Sequence, residues 1–196
     1  MNTATKMIVV LTIVTMFSGG LLAYWDAFTA SKIEFHRQEA LKAAISEVIP
    51  EHDRYEIVQK SGFDFYVGLT EKEIVGIAFQ AAGSGFQGKI MMMVGMTPDF
   101  ETVTGMKILE QIETPGLGTK IVEDPTNREN PYWFPQQFRN KPASEAFTVV
   151  KNRKPAADAE IEAITGATIS SKAVVVIINQ FIRDASRVFK EAEKVR

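Results

Sequence analysis

The sequence predicts an α+β fold: an antiparallel sheet flanked by helices, with one N-terminal transmembrane helix. Three patterns predict it. Residues 7–25 form a run of nineteen without a charge. Five short stretches of period-two hydrophobicity follow, separated by turn residues. A segment with helical spacing closes the chain.

Composition narrows the function before any motif is read. With 45% hydrophobic and 23% charged residues and a net charge of -2, the 196 residues suit one domain plus an appendage. No strongly basic stretch exists to neutralise phosphates, so nucleic acid is not an expected partner. The absence of cysteine removes disulfides, thiolate metal sites, iron–sulfur clusters and thiol nucleophiles. His36 and His52 are the only imidazoles, too few for a histidine-rich metal centre. A redox role would therefore fall to an organic cofactor.

The uncharged run comes first. As a helix it spans about 28 Å, close to the thickness of a bilayer core. Tyr24 and Trp25 stand at its far end, where amphipathic rings favour the interface. The rival readings are a cleaved signal peptide, which usually has a shorter apolar core and a small-residue cleavage site, and a buried core helix. Lys6 and the terminal amine precede the run and Lys32 and Arg37 follow it, so charge does not fix the orientation. Across 28–49, Ile33, Leu41, Ala44, Ile45 and Val48 share one helical face until Pro50. The expected units are thus a tail and transmembrane anchor (1–26), a stalk helix (27–50) and a main domain (51–196).

Beyond Pro50 the period changes. Residues 55–59, 63–69, 74–81, 89–96 and 102–112 read as strands, with Ser61-Gly62, 70–73, Gly83-Ser84-Gly85 and Thr97-Pro98-Asp99 as turns. Such short connections favour an antiparallel meander. The polar, proline-bearing stretch 123–144 carries Trp133, Phe134 and Phe138, which marks it as an ordered excursion. Segments 147–151 and 160–164 read as two more strands. The final helix is drawn by Ala173, Val174, Ile177, Ile178, Phe181, Ala185, Val188 and Phe189.

The stretch Ile164-Thr-Gly-Ala-Thr-Ile-Ser-Ser171 crowds hydroxyls before that helix. Ser170 or Ser171 is a natural N-cap, and capping alone accounts for them. A phosphate site accounts for them equally: a helix start offers unpaired N–H groups and the positive end of the dipole. Gly166 and Ala167 leave room for a bulky group, and Thr168, read as one turn before the helix, places a hydroxyl where a phosphate can rest or be esterified.

Thr165-Gly-Ala-Thr168 resembles the Ser/Thr-Gly-Ala-Thr motif of the FMN-binding domain family. Three further stretches are similar to that family: Glu113-Thr-Pro-Gly-Leu-Gly118, Gly83-Ser-Gly-Phe-Gln-Gly-Lys-Ile90, and Trp133-Phe-Pro-Gln-Gln-Phe138. Glu162 stands where the family often has Asp. The family includes the G subunit of the Rnf ion-translocating complex, which the length and single anchor resemble more, and the C subunit of the sodium-translocating NADH:quinone reductase. The resemblance implies FMN joined through its phosphate to Thr168 by a flavin transferase. Thr165, Gly166, Ala167 and Ser170 would shape the phosphate pocket, and Glu113, Thr114, Leu117 and Gly118 would touch the ring. The glycine-rich hairpin would be scaffold, and the aromatics of 133–138 mainly core. The resemblance further implies an electron-carrier subunit with its domain outside the cytoplasm, partnered by other membrane subunits of an Rnf-type complex. A stand-alone extracytoplasmic flavin reductase and a non-redox anchored binding module are the alternatives. The first predicts turnover by the chain alone, and the second a colourless protein.

Overall fold

A computed structural model describes residues 2–71 and 73–193. In chain order the elements are α1 (Thr3–Val48), β1 (Arg54–Lys60), β2 (Phe63–Thr70), β3 (Glu73–Ser84), β4 (Lys89–Met96) and β5 (Thr102–Gln111). A 3-10 turn (Gly118–Ile121), α2 (Trp133–Gln136), β6 (Lys141–Pro142), β7 (Thr148–Val150), β8 (Glu160–Glu162) and α3 (Thr168–Glu193) complete the chain. Two compact units emerge, Met1–Ala40 and Leu41–Arg196.

The first unit is helical. Its apolar run is long enough to cross a membrane and none of that window is buried. Leu11, Phe17 and Leu22 are all exposed, which is the reverse of a core helix. Anchor and stalk form one helix, since nothing between Trp25 and Phe28 interrupts the backbone ladder.

In the second unit, β1 to β6 form one antiparallel sheet in sequence order, the meander that the short turns predict. Alternation along the strands sorts side chains onto two faces. Phe65, Val67, Ile77, Phe79, Met92 and Val94 join the larger core with Val174, Ile178, Ala185 and Phe189 of α3. Tyr66, Ala78 and Met93 meet Ala44, Ile45, Val48 and Ile49 in a smaller core on the last turns of α1.

Those last turns lie directly on backbone. Gly68 pairs with Gly76 and Gly95 with Gly105 across the sheet. A Cβ at Gly68 would stand 2.6 Å from Ile49 Cγ2, and one at Gly105 3.2 Å from Val48 Cα. Four glycines thus make a smooth bed for the helix end, and Thr104 Oγ1 donates to the otherwise unpaired Val48 carbonyl.

Two features depart from the expected antiparallel plan. Residues 147–151 and 160–164 shorten to β7 and β8, which pair in parallel as a separate small sheet. The excursion 123–144 is ordered as expected, but it holds α2 and a two-residue strand on the sheet edge that no periodicity announced.

Candidate functional site

The site begins at the start of α3. Thr168 is the first helical residue, and Ser171 N–H donates the first helical bond to Ala167 O at 3.0 Å. Ala167 is therefore the N-cap, and the expected capping by Ser170 or Ser171 does not occur. Thr168 lies in the first turn itself, not one turn before it. Ser171 Oγ accepts from Ile164 N–H at 3.1 Å and donates to Ala167 O at 3.0 Å, closing the preceding loop. Among the described residues, no oxygen accepts the N–H groups of Thr168, Ile169 or Ser170. Three donors and the positive end of a 26-residue helix are left to a ligand. Gly166, at φ +82°, makes the turn into this helix, and a Cβ there would meet Leu117 Cδ2 at 3.2 Å.

Behind the helix start lies Glu113, only 5% exposed. Its Oε1 accepts Phe86 N–H at 2.8 Å and Gln87 N–H at 3.1 Å, and its Oε2 accepts the Ser170 hydroxyl. One carboxylate thus ties together the glycine hairpin, the 113–118 loop and α3. Each neighbour is small where it must be. A Cβ on Gly85 would collide with Oε1, and one on Gly118 would sit 2.7 Å from Glu113 Cβ. Gln87 Nε2 adds a 2.9 Å bond to Thr114 Oγ1.

These three segments enclose a cleft of about 320 Å³, lined by Phe86, Thr114, Leu117, Gly118 and residues 166–170. That volume falls at the small end of ligand sites, which run roughly 300–1,000 Å³. Phe86 (58% exposed), Leu117 (47%) and Ile169 (59%) offer apolar surface without a protein partner large enough to bury it. An apolar clamp beside a row of free N–H groups suits a flat ring carrying a phosphate. A larger cavity, about 510 Å³, lies beside β5 among Glu47, Lys107, Tyr132 and Arg139. It holds none of the nine expected site residues, and Lys107 is paired with Glu47.

Two amide side chains brace the approach to the helix. Gln137 donates to Glu162 O at 3.1 Å and accepts from Glu162 N–H at 2.7 Å, acting as an extra strand beside β8. Asn179 of α3 does the same for Phe147, with both bonds at 2.8 Å. Arg153 pairs with Glu160, and together with Ala156 N–H holds that carboxyl at about 2. In the 123–132 loop, burial pushes the Asp124 carboxyl up. Hydrogen bonds from Thr126, Lys120 and Trp133 outweigh burial and leave it at about 2. Phe134 and Phe138 are fully buried in the core, as expected, and half-buried Trp133 spends its N–H on Asp124 at 3.3 Å.

All nine expected site residues fall in one neighbourhood. Gly166, Ala167, Thr168, Ser170, Thr114, Leu117 and Gly118 line the cleft, while Thr165 is exposed on the adjoining turn. Glu113, expected at the ring, has both carboxylate oxygens engaged by the chain itself. Sequence reasoning passed over Phe86 and Ile169. Phe86 was visible as the aromatic of the glycine hairpin, but an exposed isoleucine in an amphipathic helix carries no signal.

The fold and cleft define an α+β domain that carries a helix long and apolar enough to cross a membrane and a cleft whose lining suits a phosphate-bearing ring. Residues 85–183 match the model of the FMN-binding domain. The chain belongs to this family. Similar proteins include the G subunit of the ion-translocating oxidoreductase complex of Methanosarcina acetivorans, 32% identical over 87% of this chain and 88% of that one. The G subunit of the Na(+)-translocating ferredoxin:NAD(+) oxidoreductase complex of Acetobacterium woodii is 32% identical over 91% of this chain and 89% of its own. Among solved structures, NqrC of Shewanella oneidensis superposes with a TM-score of 0.52 at 19% identity, covering 70% of this chain and 67% of that one, a likeness of fold.

Proposed function

We propose that this protein is an electron-carrier subunit of an Rnf-type ion-translocating complex, with FMN held by a phosphodiester to Thr168. One observation carries the reading: Thr168 lines a cleft at the start of α3, beside three N–H groups that find no acceptor among the described residues. Those donors and the helix dipole favour a phosphate at that point. Phe86, Leu117 and Ile169 present apolar surface to the ring, and Thr114 supplies a polar edge.

When bound, the isoalloxazine supplies one- and two-electron chemistry. The protein's part is to hold the ring, exclude water from its buried face and leave an edge accessible for electron transfer. Covalent attachment suits a domain outside the cytoplasm, where no flavin pool replaces a lost cofactor. A flavin transferase would form the ester, and the uncharged helix would serve as a single-pass anchor docked on other membrane subunits. The names of the relatives, one Na⁺-translocating and one proton-translocating ferredoxin:NAD⁺ oxidoreductase among them, support membership of a complex that couples such electron flow to Na⁺ or H⁺ transport.

Co-expression with a flavin transferase tests this directly. A denaturing gel should show a fluorescent band under ultraviolet light. Thr168→Val should abolish it and Thr168→Ser should retain it. A bare polypeptide mass from native membranes would refute the attachment. Turnover by the purified chain alone with a simple donor and acceptor would favour a stand-alone reductase.

A further inference from the structure

We infer that Glu113 is the positioning residue of the cofactor cleft: through the Ser170 hydroxyl and the Phe86 and Gln87 amides it fixes the helix start and the glycine hairpin against one another. The inference rests on the FMN reading for its consequence, but the linkage belongs to the chain alone.

The geometry makes Glu113 unsuited to ring contact and suited to this role. Oε1 is occupied by two amides of the hairpin and Oε2 by the first turn of α3. These partners lie 27, 26 and 57 residues away in sequence, so no local turn geometry could bring them together. Its own N–H is anchored to Gln111 Oε1 at 2.6 Å. Gly85 and Gly118 are stripped of side chain where they meet the carboxylate, so hairpin and loop close on it directly. The residues it joins are the ones that present the cleft. Phe86 carries the bonded amide and stands as an exposed aromatic wall, and Ser170 is one of the three residues whose N–H groups have no acceptor among the described residues. If that carboxylate lets go, the phosphate donors and the aromatic wall lose their fixed separation.

A link of this kind transmits disturbance between its ends. Ser170→Ala removes one hydroxyl from α3 and touches neither Phe86 nor Gln87. In the full-length apo chain in detergent it should speed amide hydrogen exchange at Phe86 and Gln87, and at Ser171, by roughly tenfold or more. Glu113→Gln should do the same at both ends. Glu113→Asp, one methylene shorter, should fail to restore both ends together. In the flavin-loaded chain, Ser170→Ala and Glu113→Gln should each move the ³¹P resonance of the bound phosphate, and the double variant should move it no further than Glu113→Gln alone. Unchanged exchange at Phe86 and Gln87 in Ser170→Ala would overturn the linkage, whatever the flavin content. An unmoved ³¹P resonance in a yellow protein would overturn its consequence for the cofactor. A wild-type chain that stays colourless with the transferase, while the exchange coupling holds, would overturn the FMN reading and leave the linkage standing.

Discussion

Gly116 and Gly118 stand two residues apart in one loop, and the structure requires glycine at each for a different reason. Gly116 has φ +73° and open space around a built Cβ, so its requirement is conformational. Gly118 has no such angle, but its Cβ would stand 2.7 Å from Glu113 Cβ, 2.8 Å from Glu113 Oε2 and 3.0 Å from Ser170 Oγ. Gly116→Ala should therefore cost about 1–2 kcal/mol, the strain of a left-handed L-residue. Gly116→Asn should recover much of it, because asparagine tolerates that conformation. Gly118→Ala should cost about 1–3 kcal/mol by overpacking against a carboxylate with nowhere to move. There Asn should make matters worse, since the limit is space. Urea unfolding of the full chain measures all four. Trp25→Phe leaves Trp133, half-buried against Asp124, as the sole tryptophan reporter. Rescue by asparagine at both glycines, or at neither, would refute the distinction.

Asp124 titrates at about 2 in place of its ordinary 3.8. Its contribution, about 2 kcal/mol, should be complete above pH ~4 and lost as pH falls through about 2. Asp124→Asn should accordingly be less stable than the parent at neutral pH by that amount, the gap closing in acid titration of the unfolding midpoint. Gln137→Ala, which strips both bonds from the Glu162 backbone, should lower stability by roughly 1–3 kcal/mol in the same urea assay. Gln137→Glu should not restore it, because a carboxylate cannot donate to Glu162 O. Leu117→Ala or Phe86→Ala should shift the visible flavin absorbance while leaving the fluorescent gel band intact. A soluble fragment beginning at Leu41 should fold, whereas one beginning at Glu51 should not, as judged by circular dichroism. The shorter one lacks buried Ala44, Ile45, Val48 and Ile49, of which each large side chain contributes about 1.5–3 kcal/mol.

The parts of the fold that were legible are those with a period. The five early strands alternate because each has a core on one or both sides, and α3 buries one stripe. A four-residue helix and a two-residue strand are too short to express a period, so α2 and β6 were invisible. Gln137 and Asn179 brace β8 and the entry to β7 from outside the parallel pair, and neither amide differs in sequence from a surface residue. Composition places a boundary near Trp25, but burial places one after Ala40, because Leu41–Val48 is amphipathic and its apolar face rests on the glycine bed. At the site, the motif residues were legible as a group. The inward role of Glu113 was not, since its partners are set by tertiary contact and not by spacing.

The helix start shows why the hydroxyl cluster is more than a cap. A sequence that merely begins a helix gains about 1 kcal/mol from Ser, Thr, Asp or Asn at the N-cap. Here that place is taken by Ala167, which has no acceptor to offer. The two serines that look like caps turn away: Ser170 to Glu113, and Ser171 to the Ile164–Ala167 loop. Thr168 is left at the mouth of the cleft, and its amide and those of its two neighbours find no acceptor among the described residues. The chain therefore forgoes the usual local stabilisation at a helix start that lines a cleft, while every buried side-chain polar atom among the described residues has a partner. Unsatisfied donors are tolerated where a ligand's oxygens complete them. A phosphate placed there would supply the missing acceptors, and the proposed ester to Thr168 would fix it at the point where the helix field is strongest.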